Sequence, residues 1–109
     1  MLNLDYLKQI TNGDLGQIKE LLVTFFQVTY EDLDNLKKAI SNQQDTLVAS
    51  IAHRIKGGAI IIGASQLSNL ASELEHCGMK PEPQRYNALF DEMQASLDQL
   101  QVYCNNLSV

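Results

Sequence analysis

Cysteine is scarce in this sequence. There are only two, Cys77 and Cys104, in 109 residues, with no CxxC pair and no zinc-module spacing. Proline is confined to Pro81 and Pro83. No apolar run approaches the roughly 20 residues that a membrane span requires. The opening Met1-Leu2-Asn3-Leu4-Asp5 has no basic segment ahead of an apolar stretch, which a signal peptide would need. The expected compartment is therefore the cytoplasm, and the expected state of both thiols is reduced. Basic residues are few and scattered, with only Lys37-Lys38 adjacent, and the formal net charge is −5. Without a basic stripe, nucleic acid and anionic membrane surfaces are poor partners.

What the chain does contain is helical periodicity. Apolar residues make up 45% of it, enough for a single core in one domain spanning residues 1–109. A short helix is expected from about Asp5 to Ile10, broken by Asn12-Gly13, with Asp14 able to cap the next. A long helix follows with an apolar face of Leu15, Ile18, Leu22, Phe25, Phe26, Leu33, Leu36 and Ile40. The third runs from near Asp45 to near Gly63, a residue suited to a left-handed helix end. Ser65 can cap the fourth, which Gly78 and Pro81-Glu82-Pro83 end. The last carries Tyr86, Leu89, Phe90, Met93, Leu97, Leu100, Cys104 and Leu107. Short connections imply antiparallel neighbours. The expected fold is all-α: an antiparallel up-down-up-down four-helix bundle with a short extra N-terminal helix. In that order, about 20 helical residues, or roughly 30 Å, separate Cys104 from the turn near Cys77, which rules out a disulfide between them.

The informative segment is Ala52-His53-Arg54-Ile55-Lys56-Gly57-Gly58. At about 100° per residue, His53 lies roughly 140° from the apolar stripe of its helix, so it faces outward. Lys56 at i+3 and Gly57 at i+4 neighbour the imidazole, and the small Ala49 and Ser50 precede it at i−4 and i−3. Two glycines within a helix cost up to about 1 kcal/mol each relative to alanine, which asks for a reason. A side chain at Gly57 would crowd whatever is attached to His53 or docks there. Gly58 points back toward the bundle. A neutral imidazole is a good nucleophile, and Lys56 could offset the charge of a phosphoryl group attached to it. No Walker-type loop or kinase motif set is present, so such a group would come from another protein rather than from ATP.

These residues resemble a known family. Ala52-His53-Arg54-Ile55-Lys56-Gly57, then Gly63, Leu67 and Leu74-Glu75, is similar to the signature of histidine phosphotransfer (HPt) domains, A-H-x-[LI]-K-G-x5-G-x3-L-x6-[LI]-[EQ]. Asn12-Gly13-Asp14 and the Glu20-Leu21-Leu22…Phe25 run also resemble the family, so the likeness spans nearly the whole chain. It is nearest to the HPt modules of hybrid sensor kinases of the anaerobic-control type. The resemblance implies a phosphohistidine at His53, support from Lys56, and an imidazole oriented by Glu75. Hairpin geometry agrees, because helices that turn back near Gly63 place His53 and Glu75 nearly level. The implied partners are response-regulator receiver domains bearing Mg, with the protein acting as a monomeric phosphocarrier that needs no cofactor of its own. Ile60-Ile61-Ile62 is more apolar than is usual in the family, and Ile60 falls on the histidine side. Receiver docking is thus expected around Ala49, Ser50 and Ile60.

Two other readings compete. A surface histidine is most often only that, and a binding or scaffold bundle with an inert His53 would need an exposed apolar patch but not the glycines. A metal site from Glu75, His76 and Cys77 fails, because consecutive helical residues point in different directions. His76, opposite the apolar stripe of its helix, is expected to be solvated and without a role.

Overall fold

The computed structural model describes residues 2–106. Its elements are α1 (Asp5–Ile10), α2 (Leu15–Ser41), α3 (Asp45–Ile61), α4 (Ser65–Met79), a single 3-10 turn (Pro83–Arg85) and α5 (Tyr86–Asn105). No strand occurs among the described residues. Helices α2 to α5 form a four-helix bundle, each packed on the next, with α5 closing back onto α2. The 27 residues of α2, about 40 Å at 1.5 Å each, set the 42 Å long axis of the molecule.

The turns are made by local hydrogen bonding. Asp14 caps α2 by accepting from the Gln17 N–H at 3.0 Å. At the end of α3, the Gly63 N–H donates to the Ile60 carbonyl and the Ala64 N–H to the Ala59 carbonyl, at 3.1 and 2.9 Å. This is a Schellman ending, with Gly63 at φ +70°. Gly63 is needed there for a second reason: the Asn3 backbone lies so close that any Cβ would overlap it, and the Asn3 N–H donates to the Gly63 carbonyl at 3.1 Å. The end of α2 uses the same bonds through Gln43, a non-glycine residue at φ +54°.

Three expectations need correction. Leu15 is exposed, because it opens α2 before the helix reaches the bundle. Ser65 does not cap α4. Ala64 occupies that position without a side-chain bond, and Ser65 is the first helical residue. Gly78 does not end α4, which continues to Met79. Instead, Gly78 is buried where α4 meets α3, and a Cβ there would lie 2.9 Å from the Ala49 N, the Ala49 Cβ and the Asp45 carbonyl oxygen. Leu107 falls outside the described residues.

The core is formed by the apolar faces of α2 to α5, with Leu7 of α1 covering one end. Two tyrosines tie helices together through carboxylates. The Tyr86 hydroxyl donates to Asp45 Oδ1 at 2.7 Å, joining α5 to α3. The Tyr30 hydroxyl donates to Asp98 Oδ1 at 2.6 Å, joining α2 to α5, and burial together with that carboxylate pushes its pKa up to about 12. Both cysteines are free, Cys77 buried and Cys104 half-buried. Burial raises the Cys77 thiol, and the Arg85 guanidinium 3.3 Å away opposes that shift.

Two outcomes follow from the packing. Gly78→Ala lowers the thermal midpoint, with a net loss of about 1–2 kcal/mol, because separating two backbones outweighs alanine's better helix propensity. A melting curve unchanged or raised would contradict the close approach. In the native protein a thiol reagent titrates Cys104 first and reaches Cys77 only on unfolding; equal rates would show that Cys77 is not enclosed.

Candidate functional site

The site sits across the α3–α4 seam. The apolar face of α3, Val48, Ile51, Ala52, Ile55 and Ala59, is buried. This turns His53 outward, with its side chain 67% exposed. The facing turn of α4 is anchored by the buried Leu74 and carries Glu75 at the seam's rim. His53 Nδ1 lies 2.8 Å from Glu75 Oε2. The Lys56 ammonium donates to the other oxygen, Glu75 Oε1, at 2.6 Å. One carboxylate therefore holds both the imidazole and the cation.

Glu75 is held below the usual carboxylate range, chiefly by the Lys56 hydrogen bond. Burial opposes this, and the His53 hydrogen bond adds to it. An ionised carboxylate can only accept, so Nδ1 carries the proton of a neutral ring and Nε2 keeps its lone pair on the opposite edge. The ring is thus oriented and exposed.

The neighbours of His53 divide into two kinds. Gly57 is exposed, and a Cβ built on it would meet nothing within 4 Å. The space it leaves is therefore clearance toward the outside, unneeded by packing within this chain. Gly58 does face the bundle, where a Cβ would approach the Phe25 ring at 3.3 Å. Ser50 and Ile60 are exposed, Ile60 at 61%. Ala49 is not part of that surface. At 9% exposure it is buried, because its methyl faces Gly78 on α4. Lys56 is likewise not a free surface cation, since its side chain is only 27% exposed and paired.

One part of the site is not evident from the motif. Arg54, next to His53, makes a two-pronged ion pair with Asp32 of α2, Nη2 to Oδ1 at 2.6 Å and Nε to Oδ2 at 3.3 Å. Asp32 is buried, and among the described residues the Arg54 guanidinium is the cation that pairs with its charge. The signal in the sequence is an acidic residue within the apolar stripe of a helix, seven positions after Phe25. Beside this pair a shallow apolar depression runs between α2 and α3, lined by Leu21, Phe25, Val28, Gly58 and Ile61. Leu21, Val28 and Ile61 are each at least 40% exposed.

Glu75, His76 and Cys77 do not converge: Glu75 binds His53, His76 is exposed, and Cys77 is buried beside Arg85. Among the described residues, no group of three or more His, Cys, Asp or Glu side chains is placed to hold a metal ion. Nor is any helix there long and apolar enough to cross a membrane.

Known proteins resemble this chain in sequence and in fold. The chain is 32% identical over 108 residues to the Sensor protein EvgS of Escherichia coli K12, and equally to that of Escherichia coli O157:H7. The match covers 94% of this chain but only 9% of those much longer relatives. The fold is similar to the crystal structure of histidine-containing phosphotransfer protein B (HptB) from Pseudomonas aeruginosa PAO1. The TM-score is 0.87 at 26% identity, covering 94% of this chain and 89% of that one. Residues 20–103 match the Hpt domain family, a span that takes in all of α3 and α4. The chain belongs to the Hpt domain family.

Proposed function

We propose that this protein is a phosphocarrier that passes a phosphoryl group between receiver-domain aspartates through His53 Nε2. The observation that carries this reading is the exposed imidazole tied at Nδ1 to Glu75. Tying one nitrogen fixes the tautomer and directs the other toward an incoming partner.

In the forward step the Nε2 lone pair attacks phosphorus of a receiver aspartyl phosphate. The bond from phosphorus to the carboxyl oxygen breaks, and its electron pair leaves with the aspartate. The Nδ1 proton stays on the ring, which becomes a cation facing the Glu75 carboxylate. A second receiver aspartate reverses the sequence. The receiver brings the Mg ion and most of the transition-state stabilisation, while the carrier contributes position. No ATP site is involved, because the phosphoryl group arrives from another protein. Lys56 and the Gly57 clearance serve the attached group and its approach.

Docking centres on His53, with Ser50, Ile60 and the depression lined by Leu21, Val28 and Ile61 as the apolar contact. An apolar strip alone would also suit a binding bundle with no chemistry, but such a bundle has no use for an oriented surface imidazole. The setting proposed is the cytoplasm, with the protein acting as a monomer.

Incubation with a phosphorylated receiver places acid-labile label on the wild-type protein and on His76→Gln, and none on His53→Gln. Label retained by His53→Gln, or lost from His76→Gln, removes His53 from the assignment. The Gly57 clearance separates stability from transfer. Gly57→Ala raises helix stability by up to about 1 kcal/mol, since its methyl meets nothing. Gly57→Glu slows transfer from a receiver by occupying the approach and repelling the phosphoryl charge. Transfer by Gly57→Glu at the wild-type rate would move the docking surface elsewhere.

A further inference from the structure

Both cations flanking His53 are already engaged. Arg54 neutralises the buried Asp32, and Lys56 lies 2.6 Å from Glu75. A phosphoryl group arriving on Nε2 therefore enters a neighbourhood whose positive charge is spoken for. Glu75 meets the Nδ1 edge of the ring through Oε2 and holds Lys56 through Oε1. The phosphoryl group forms at the opposite edge. Lys56 has three N–H donors but a single charge, so its attraction to one anion weakens as it is drawn toward another. The contest is not weak, because Lys56 and Glu75 are only 27% and 18% exposed, so water screens their attraction incompletely.

We propose that Glu75 competes with the phosphoryl group for Lys56, so that phosphorylation of His53 requires Lys56 to change partners, and that this competition keeps the phosphohistidine poised as a donor rather than a store. The proposal rests on the reading of His53 as the carrier. Glu75 then has two opposed effects on the phosphorylated ring. It stabilises the cationic imidazolium through Nδ1–H, and it withholds from the phosphoryl group the cation that would stabilise it. A carrier that must give up its cargo as readily as it takes it benefits from the second effect. The isosteric Glu75→Gln keeps an acceptor for Nδ1–H and surrenders the hold on Lys56.

The test needs no cognate partner. Phosphoramidate exchanges with a histidine directly: the nitrogen–phosphorus bond of the reagent breaks, a new one forms at Nε2, and ammonia leaves. The ratio of phosphorylated to free His53 at fixed phosphoramidate and ammonium concentrations is read by phosphorus NMR. Wild type, E75Q, K56M and the double variant are compared, with thermal melts confirming that each is folded. E75Q is expected to raise the ratio by at least about twofold, the lower end of the coupling between contacting residues. In the K56M background, E75Q is expected to give no such rise. An E75Q effect equal in both backgrounds overturns the competition for Lys56, whereas a fall confined to the K56M background supports it, because the loss of imidazolium stabilisation is common to both. Failure of the wild type to load above the level of H53Q overturns instead the reading of His53 as the carrier.

Discussion

The arrangement at this site depends on one carboxylate. Glu75 stands between an imidazole and a cation, 2.8 Å from His53 Nδ1 and 2.6 Å from the Lys56 ammonium. An imidazole on a helix surface otherwise samples rotamers and both tautomers. Fixing it from the neighbouring helix gives the ring one orientation and one tautomer. That bond needs α3 and α4 to lie close and in register. Closeness comes from Gly78, where the α3 backbone fills the place of a side chain, and register comes from the tight turn at Gly63. Local backbone requirements thus set the position of a side-chain pair 22 residues apart in sequence.

The electrostatics of the face follow from pairing rather than from net charge. The protein is acidic overall, at −5, yet His53 lies between two cations, each committed to a carboxylate. Asp32 holds Arg54 from the α2 side and Glu75 holds Lys56 from the α4 side, so α3 is tied to both of its neighbours at the level of His53. The imidazole consequently stands on a braced helix, with an apolar depression on its α2 side. Rigidity around the imidazole and an adjacent apolar surface are what the proposed transfer between proteins requires, since a carrier's contribution is mainly position.

Much of this was legible in the sequence because it rests on periodicity. The stripe of Val48, Ile51, Ala52, Ile55 and Ala59 forces His53 outward, and the turn at Gly63 brings Glu75 level with it. Other features depend on a neighbour that no single-helix pattern reveals. Gly78 reads as a helix stop until the Ala49 backbone is seen against it, and the same contact removes Ala49 from the surface. Lys56 reads as a free cation because its partner lies on another helix. Asp32 is a charge on an apolar face, and the α2 pattern alone does not show that its partner is supplied from α3. Leu15 obeys the helical period but precedes the point where α2 meets the bundle.

In the proposed mechanism the Glu75 carboxylate fixes the proton on Nδ1 and leaves Nε2 as the nucleophile. Long-range proton–nitrogen NMR of the His53 ring, in the unphosphorylated protein at a pH where the imidazole is neutral, tests it most directly. The account predicts a protonated Nδ1 and an unprotonated Nε2, with Glu75→Gln retaining and Glu75→Ala losing that preference. A ring protonated on Nε2, or the same tautomer mixture in wild type and Glu75→Ala, would contradict it.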